Sequence, residues 1–84
     1  MDYYLKPSVI RELKILPKII QKRILNKLDF YIKFSNNPLR FAEPLKNRSL
    51  GYFRFRIGDY RVLFDIKSDK IFILKIGHRK EIYK

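Results

Sequence analysis

The chain has 84 residues, with 20 Lys plus Arg against 8 Asp plus Glu and a formal net charge of +12. This length indicates a single domain over residues 1–84. The chain has no Cys, which excludes disulfides and Cys-ligated zinc, and its single His makes other metal cages improbable, so no metal or cofactor is expected. No apolar run reaches the ~18 residues of a membrane span. The N-terminus lacks a secretion signal's apolar core, so we expect a soluble, cytoplasmic domain.

The charge balance favours a polyanionic partner, because like charges on a small surface repel one another and destabilise the folded state. RNA, DNA, an anionic membrane surface and an acidic protein all qualify. Residues 1–49 carry eleven basic and four acidic side chains, and residues 50–84 carry nine and four. Since neither half is a basic tail, we expect the charge to be built into the folded surface.

The first half of the chain predicts a strand followed by a helical hairpin. A short strand is expected over residues 2–6, where a proline ends it. Apolar residues at helical spacing then indicate two helices separated by Pro17, the second ending at residues 35–38. Two short helices cannot bury their apolar stripes alone, so the hairpin is expected to cover a sheet. The stretch that follows, to about Ser49, is predicted to be a loop.

The second half predicts three strands. Period-two alternation runs over residues 52–57, 60–66 and 71–76. Gly58-Asp59 offers a two-residue hairpin turn, and residues 67–69 are expected to make a three-residue turn. The predicted fold class is therefore α+β, with an N-terminal strand and a two-helix hairpin packed on an antiparallel β-meander. The first strand is expected to join the edge of that meander.

Alternation gives the predicted sheet a covered face, under the helices, and an open face. Arg54, Arg56 and Arg61 fall on the open face, and the three-residue turn adds Lys75 beside Arg61. A two-residue turn would instead bury Lys75 without a partner. With the three-residue turn, Phe72 and Leu74 are predicted to lie on the covered face, and Ile71 and Ile73 on the open face.

Basic side chains thus crowd the open face, with directly opposed like charges that cost a few tenths to roughly 1 kcal/mol. No carboxylate is expected among them except Asp65, at the far end of the face. Arg binds phosphate through planar, bidentate hydrogen bonds and keeps its proton. A solvated charged surface is the alternative interpretation, but the opposed charges favour a phosphate-binding surface.

Beyond the last strand, Gly77 is expected to let the chain turn and carry His78, Arg79 and Tyr83 over the rim of the open face. His78 is the one side chain whose ordinary pKa lies near neutrality. A His near a C-terminus is more often surface decoration, and a Tyr there more often packs the tail. Neither residue is specific by itself.

Together these features resemble the RelE/ParE superfamily of toxins from toxin–antitoxin pairs, most of all its short, RelE-type branch. The resemblance rests on Leu45-Lys46, on the run from Gly51 to Val62 and on the run from Ile76 to Tyr83. The order of the elements, a helical hairpin before a meander, matches the family as well. The resemblance therefore covers essentially the whole chain.

The resemblance implies a metal-independent endoribonuclease that cuts mRNA in the ribosomal A site, where the substrate's own 2′-OH attacks the phosphate in line. Arg61 and Arg79 would stabilise charge on the phosphoryl oxygens, and Tyr83 would stack on a base or transfer a proton. The candidate catalytic residues are Arg61, Arg79, His78 and Tyr83. The candidate RNA-binding residues are Arg54, Arg56, Lys75 and Lys46.

The identity of the general base is not decided by the sequence. Fast-cleaving members of the family often carry Lys where this chain has Arg54 and Arg56, and Arg is a poor base. His78 is the first chemical candidate and Tyr83 the second. In a third possibility no side chain removes the proton fully, and positioning supplies most of the rate.

Two other functions are kept as alternatives: a ParE-like inhibitor of DNA gyrase that does not cut nucleic acid, and a non-catalytic RNA-binding module. The retained Arg and Tyr set favours RNA chemistry. The expected partners are an acidic, RelB-like antitoxin and mRNA in the ribosomal A site, with no membrane. The antitoxin is expected to fold on binding, wrap the helices and a sheet edge, and cover Leu63, Ile71 and Ile73.

Overall fold

The structure is a computed structural model that describes residues 1–84, and it places two helices against one face of a five-stranded sheet. The helices and strands in chain order are β1 (Asp2–Leu5), α1 (Pro7–Lys14), α2 (Lys18–Leu28), β2 (Ala42–Pro44), β3 (Phe53–Ile57), β4 (Tyr60–Lys67) and β5 (Lys70–His78). A π-helical segment, Asp29–Phe34, continues α2, and two 3₁₀ turns, Pro38–Phe41 and Arg48–Leu50, flank β2. None of the helices has the length and apolarity needed to cross a membrane.

The predicted helical hairpin is confirmed, and prolines set its boundaries. Pro7 is the first residue of α1, a position at which a backbone N–H would have no helical partner, so proline is tolerated there. Pro17 is the N-cap of α2. Both helices bury one face against the sheet. The resulting main core consists of twelve buried side chains: Val9, Leu13, Ile24, Leu28, Ile32, Phe55, Ile57, Val62, Phe64, Ile71, Ile73 and Ile76.

The sheet has the strand order β1-β5-β4-β3-β2. The meander β3-β4-β5 is antiparallel, and β1 lies at the edge of it, parallel to β5. These features confirm the α+β prediction. The expected loop to about Ser49 is wrong in part, because β2 pairs antiparallel with β3. Three residues ending in a proline are too few to show an alternating pattern, so the sequence gives no strand signal there.

The turn between β4 and β5 differs from the predicted three-residue turn. Ser68 and Asp69 form a two-residue turn, with φ of 50° and 61°, as the primed hairpin turns require. The extra residue is instead Leu74, which bulges from β5 opposite the step from Leu63 to Phe64. The bulge and the predicted turn shift the register by one residue in opposite directions, so beyond the bulge they give the same faces but partners that differ by two residues.

This register decides which side chains are exposed on the open face. Lys75 lies there as predicted, although it pairs with Leu63 rather than lying beside Arg61. The assignment of the four apolar residues before the bulge is wrong, since a one-residue shift exchanges the faces of a strand. Ile71 and Ile73 are fully buried in the main core, whereas Phe72 and Leu74 lie outside it.

A second, smaller core closes part of the open face. It consists of Leu45, Leu63 and Ile82, with Leu50 packed against it. Ile82 belongs to the C-terminal turn, which folds back over β5. Gly77 permits this approach, because a Cβ at that position would lie 3.2 Å from Ile82 Cδ1. Gly77 therefore lies within β5 and admits the tail, rather than turning the chain as predicted.

Candidate nucleic-acid site

A cleft of about 390 Å³ opens on the open face, between the segment after β2 and the C-terminal turn. Its lining residues are Pro44, Leu45, Lys46, Asn47, Leu50, Arg54 and Tyr83. The fold thus brings three of the predicted site residues, Lys46, Arg54 and Tyr83, to one concave surface. They come from a loop, a strand and the C-terminal turn, so only the tertiary fold assembles them.

Arg54 and Tyr83 are in direct contact. Nη1 of Arg54 donates a hydrogen bond of 2.7 Å to the Tyr83 hydroxyl, and the guanidinium carbon lies 5.8 Å from the centre of the Tyr83 ring. This hydrogen bond is the main cause that raises the pKa of Arg54, followed in the same direction by its contacts with Glu43. Because the Tyr83 oxygen accepts from Arg54, the phenolic proton stays available to a ligand.

Glu43, on β2, is a site residue that sequence reasoning missed. It pairs with Arg54 across the sheet, and its Oε1 lies 2.6 Å from Nε of Arg56 and 3.4 Å from Nε of Arg54. The expectation that no carboxylate lies among the basic residues is therefore wrong. The error follows from the missed strand, because a hairpin reading of residues 42–55 would have put Glu43 opposite Arg54.

The two arginines share Glu43 unequally. The shorter contact goes to Arg56, and Nε of Arg54 is buried without any hydrogen-bond acceptor. The 3.4 Å separation from Glu43 is within ion-pair range, but it does not make a hydrogen bond. Arg54 thus keeps one unused donor next to the cleft.

Lys75 holds the C-terminal turn in place. Its Nζ donates a 3.0 Å hydrogen bond to the carbonyl oxygen of Ile82. Lys75 is partly buried, and the chain itself takes up one of its three ammonium donors. Through this bond and the packing of Ile82, the turn carries Tyr83 to Arg54.

Arg61 and Arg79 gather at the β3–β4 turn and do not line the cleft. Nη1 of Arg61 donates to the carbonyl oxygens of Gly58 and Tyr60, each at 2.9 Å. The backbone N–H of Arg79 donates to the Asp59 carbonyl at 2.8 Å, and its Nε lies 3.6 Å from the Asp59 carboxylate. The Arg79–Asp59 pair is exposed, and such pairs are worth ~0–1 kcal/mol, so Arg79 can turn to a ligand at low cost.

His78 does not join the basic side chains of the open face. It pairs with Tyr60, and the two rings meet edge to face with their centres 5.5 Å apart. Tyr60 packs on the main core, so the His78 ring lies on the covered side of the sheet. Its Nδ1 accepts a 3.1 Å hydrogen bond from the N–H of Lys80. The predicted position over the rim is wrong because β5 continues through Gly77, and alternation then turns His78 away.

Comparison with known proteins agrees with this architecture. The sequence model of a family described as the ParE toxin of type II toxin–antitoxin systems matches residues 3–83. The RelG toxin of Mycobacterium tuberculosis is 38% identical over 52 residues, and the alignment spans 60% of this chain and only 60% of RelG. The RelE3 toxin of Methanocaldococcus jannaschii is 32% identical over 79 residues, which cover 90% of this chain and 88% of that toxin.

Solved structures with the same fold come from toxin–antitoxin complexes. A chain of the RelBE2 complex from Mycobacterium tuberculosis superposes with a TM-score of 0.74 at 30% identity, over 93% of this chain and 96% of that chain. A chain of the RelB–RelE complex from Methanococcus jannaschii gives 0.73 at 27% identity, over 94% and 93%. With the family match running over residues 3–83, the chain belongs to the RelE/ParE family and is a toxin of a type II toxin–antitoxin system.

Proposed function

We propose that this toxin is a ribosome-dependent endoribonuclease that cuts mRNA in the A site and so inhibits translation. The observation that carries the proposal is Arg54, which lines a cleft, contacts Tyr83 and has a buried Nε–H with no acceptor. Leaving a buried donor unpaired costs ~1–3 kcal/mol, and more for a charged group. A phosphate oxygen that takes the place of the Glu43 carboxylate at Arg54 would supply the missing acceptor.

In this proposal the scissile phosphate of a single-stranded RNA lies in the cleft. The 2′-oxygen forms a bond to phosphorus, the bond from phosphorus to the 5′-oxygen breaks, and the 2′-proton leaves as the 5′-oxygen gains one. Arg54 binds the phosphoryl oxygens, and Lys46 neutralises the adjacent backbone. The Tyr83 hydroxyl gives its proton to the leaving 5′-oxygen. Holding the 2′-oxygen, the phosphorus and the 5′-oxygen in line supplies a large part of the rate.

Glu43 is the group we propose as acceptor of the 2′-proton. It contacts Arg54 and Arg56 in the free protein, and a bound phosphate would compete for the same donors. Once released from them, the carboxylate is next to the cleft and free to accept a proton. The sequence favoured His78 for this role, but the His78 ring packs on Tyr60 on the other face, which supports a role in packing instead.

Toe-printing on programmed ribosomes tests the function. The wild-type protein should produce cuts in A-site codons, and Arg54→Ala should slow single-turnover cleavage by ~10²-fold or more because it removes the phosphate contact. Tyr83→Phe should lose ~10-fold to 10²-fold, and His78→Ala less than ~10-fold. Arg61→Ala and Arg79→Ala test whether the second basic group reaches the substrate, and both are expected to slow cleavage.

Lys18→Ala, an exposed residue at the start of α2, is the matched control for loss of one positive charge. It should leave the cuts unchanged. Intact message together with gyrase–DNA cleavage complexes would contradict the proposal and indicate the gyrase-inhibitor function. Bound but uncut mRNA at all protein concentrations would indicate a binding module.

We also infer an acidic antitoxin as partner, since the chain carries +12 and the similar structures are complexes with RelB. Strand β2 pairs only with Phe53–Phe55, so Arg56 and Ile57 of β3 have no strand neighbour on that side. An added strand of the partner fits this edge. Leu63, Ile71 and Ile73 are excluded as contacts, because the chain already buries all three.

A further inference from the structure

A second pocket lies on the open face, at the end of the sheet where β4 turns into β5. Its volume is about 480 Å³, and its lining residues are Tyr52, Asp65, Ile66, Lys67, Phe72 and Leu74. It shares no residue with the cleft that contains Arg54, and the proposed cleavage does not use it.

Three aromatic side chains and one carboxylate form a row across the strands at this pocket. Tyr4 of β1 pairs with Phe72 of β5, and Phe72 pairs with Asp65 of β4. Tyr52 lies opposite Asp65, one residue beyond the last pair of β3 and β4. Neighbouring strands are ~4.8 Å apart, so Tyr52 and Phe72 flank Asp65 with their backbones about 10 Å apart.

Contacts within the chain orient both aromatic rings. Tyr4 meets Phe72 edge to face, with the ring centres 6.0 Å apart. The guanidinium carbon of Arg48 lies 4.8 Å from the centre of the Tyr52 ring, and Arg48 does not line the pocket, so it covers that ring from outside. Both rings keep surface for a ligand, since Tyr52 is 48% exposed and Phe72 is half-buried.

Asp65 has one oxygen in use and one available. Its Oδ1 accepts a hydrogen bond from the backbone N–H of Tyr52. Its Oδ2 has no hydrogen-bond or ion-pair partner in the chain and is not buried. A flat ligand with an N–H donor on its edge would therefore stack on the rings and donate to Asp65.

We propose that this pocket binds one base of a single-stranded RNA, stacked on Tyr52 and Phe72, and that Asp65 selects a base with an amino group. Cytosine, adenine and guanine carry such a group. Uracil offers one N–H between two carbonyl oxygens, and those oxygens repel a carboxylate. That the RNA is mRNA rests on the proposed function, whereas the selection of the base does not.

The surroundings favour a nucleotide over a protein side chain. Lys67 lines the pocket and pairs with Lys70, so cations lie where the phosphates beside the base would run. An apolar side chain would bury Asp65 without a partner. A partner's arginine would satisfy Asp65 and the rings, but it would add positive charge beside Arg48 and Lys67.

The pocket also continues the cleft along β3. Tyr52 and Arg54 are two residues apart and point to the same face, about 7 Å from each other along the strand. This separation is close to the spacing of successive phosphates in an extended single strand. RNA with a phosphate at Arg54 would therefore bring an adjacent base to Tyr52.

Short 2′-O-methyl oligouridylates that carry one cytosine test the pocket in the full chain. Fluorescence anisotropy should show that cytosine at one position raises the affinity ~5-fold to 10-fold over uracil. Nuclear Overhauser contacts should join its H5 and H6 protons to the rings of Tyr52 and Phe72. Tyr52→Ala should weaken binding ~5-fold or more, and Tyr52→Phe should restore it, because a phenyl ring still stacks.

Asp65→Asn separates base selection from folding. Its amide oxygen still accepts from the Tyr52 N–H, whereas the preference for cytosine should fall below ~2-fold. Phe34→Ala is the matched control, since it removes a 76%-exposed ring from the π-helical segment, and it should change neither affinity nor preference. Equal wild-type affinity for cytosine and uracil would overturn the proposal, as would an arginine-rich peptide that binds at Tyr52 where the oligonucleotides do not.

Cleavage assays separate this inference from the proposed function. If both hold, toe-printing with a varied A-site codon should show a bias towards amino-bearing bases at one codon position, and Asp65→Asn should reduce that bias. A protein that selects cytosine at Tyr52 but cuts no RNA contradicts only the proposed function. A protein that cuts A-site codons but binds the oligonucleotides without base preference contradicts only this inference.

Discussion

At the scale of single residues, the basic open face depends on a carboxylate. Glu43 holds Arg56 at 2.6 Å and lies 3.4 Å from Arg54, so it offsets part of the repulsion between neighbouring guanidinium groups. The pair is half exposed to solvent, and such pairs contribute ~0.2–1 kcal/mol. In the proposed function, a phosphate would therefore displace Glu43 at low cost.

Glu43→Gln should accordingly separate binding from catalysis. RNA that lacks the reactive 2′-OH should bind ~2-fold to 5-fold more tightly, because the competing charge is gone. Cleavage of normal message should be slower in a single turnover, since the amide cannot accept the 2′-proton. Fluorescence anisotropy and quenched-flow cleavage measure the two effects. Weaker binding would mean that Glu43 positions the arginines instead of competing with phosphate.

At the scale of elements, the C-terminal turn is fixed by one buried side chain and one lysine. Ile82 is 1% exposed within the small core, and Lys75 binds its carbonyl oxygen. Tyr83 follows directly, so its contact with Arg54 depends on that anchor. The other contacts of the turn are hydrogen bonds, among them those from the backbone N–H groups of Glu81 and Ile82 to the His78 carbonyl, and no other side chain of the turn is buried.

Ile82→Ala should therefore reduce both stability and activity. Truncation of a buried Ile costs ~2–5 kcal/mol, and the small size of this core favours the low end of that range. Urea unfolding measures the loss, and cleavage below the melting transition should also fall because Tyr83 is released. Ile82→Val is the control, with a cost of ~0.5–1.5 kcal/mol and near-normal cleavage. Full activity of a folded Ile82→Ala protein would mean that Ile82 is not needed to position Tyr83.

A second link between elements joins β1 to the π-helical segment. The Tyr3 hydroxyl donates a 2.8 Å hydrogen bond to Asp29. Burial, and then this bond and the negative charge of Asp29, raise the pKa of Tyr3 well above its ordinary value of 10.0. The folded state thus keeps the phenolic proton at a pH where the unfolded chain loses it.

Folding stability should then fall as the pH rises above ~10, the ordinary pKa of an unfolded Tyr. Below that pH the contribution of Tyr3 is fully present. Tyr3 is partly exposed, so the loss from pH 10 to 11 should be a few tenths to ~1 kcal/mol after solvent screening. Tyr3→Phe should remove this part of the pH dependence in urea unfolding. An equal alkaline loss in both proteins would assign the effect to lysine deprotonation.

The sequence predicted the large elements because their patterns are long, and it failed where a feature spans only one to three residues. Helical periodicity gave both helices, and alternation gave β3 and β4. Strand β2 and the Leu74 bulge leave no periodic signal, and the two of them decide the neighbours of Arg54 and the faces of β5. The Arg54–Tyr83 contact spans 29 positions and depends on tertiary packing, so no local pattern could specify its geometry.

At the scale of the whole molecule, the basic side chains behind the charge of +12 lie on separate surfaces. Lys46 and Arg54 line the cleft, and Arg61 and Arg79 lie at the β3–β4 turn. Three further cations lie on the outer face of α2: Lys22, Arg23 and Lys27. Lys75 is used within the fold. The affinity for RNA should therefore depend on the cations of the open face and its rim, and not on the net charge of the protein.

The salt dependence of RNA binding tests this division. Single-stranded RNA releases ~0.7 counterions per neutralised phosphate, so about four contacts from the open face and its rim give a slope of log K against log salt near −3. Lys46→Ala should make that slope less negative by ~0.7. Lys22→Ala, on the outer face of α2 and away from the cleft, should leave the slope unchanged. Anisotropy titrations of a 2′-O-methyl oligonucleotide between ~50 and 200 mM salt give both values. Equal flattening by the two variants would contradict a local site, because it would mean that the RNA responds to net charge wherever it lies on the surface.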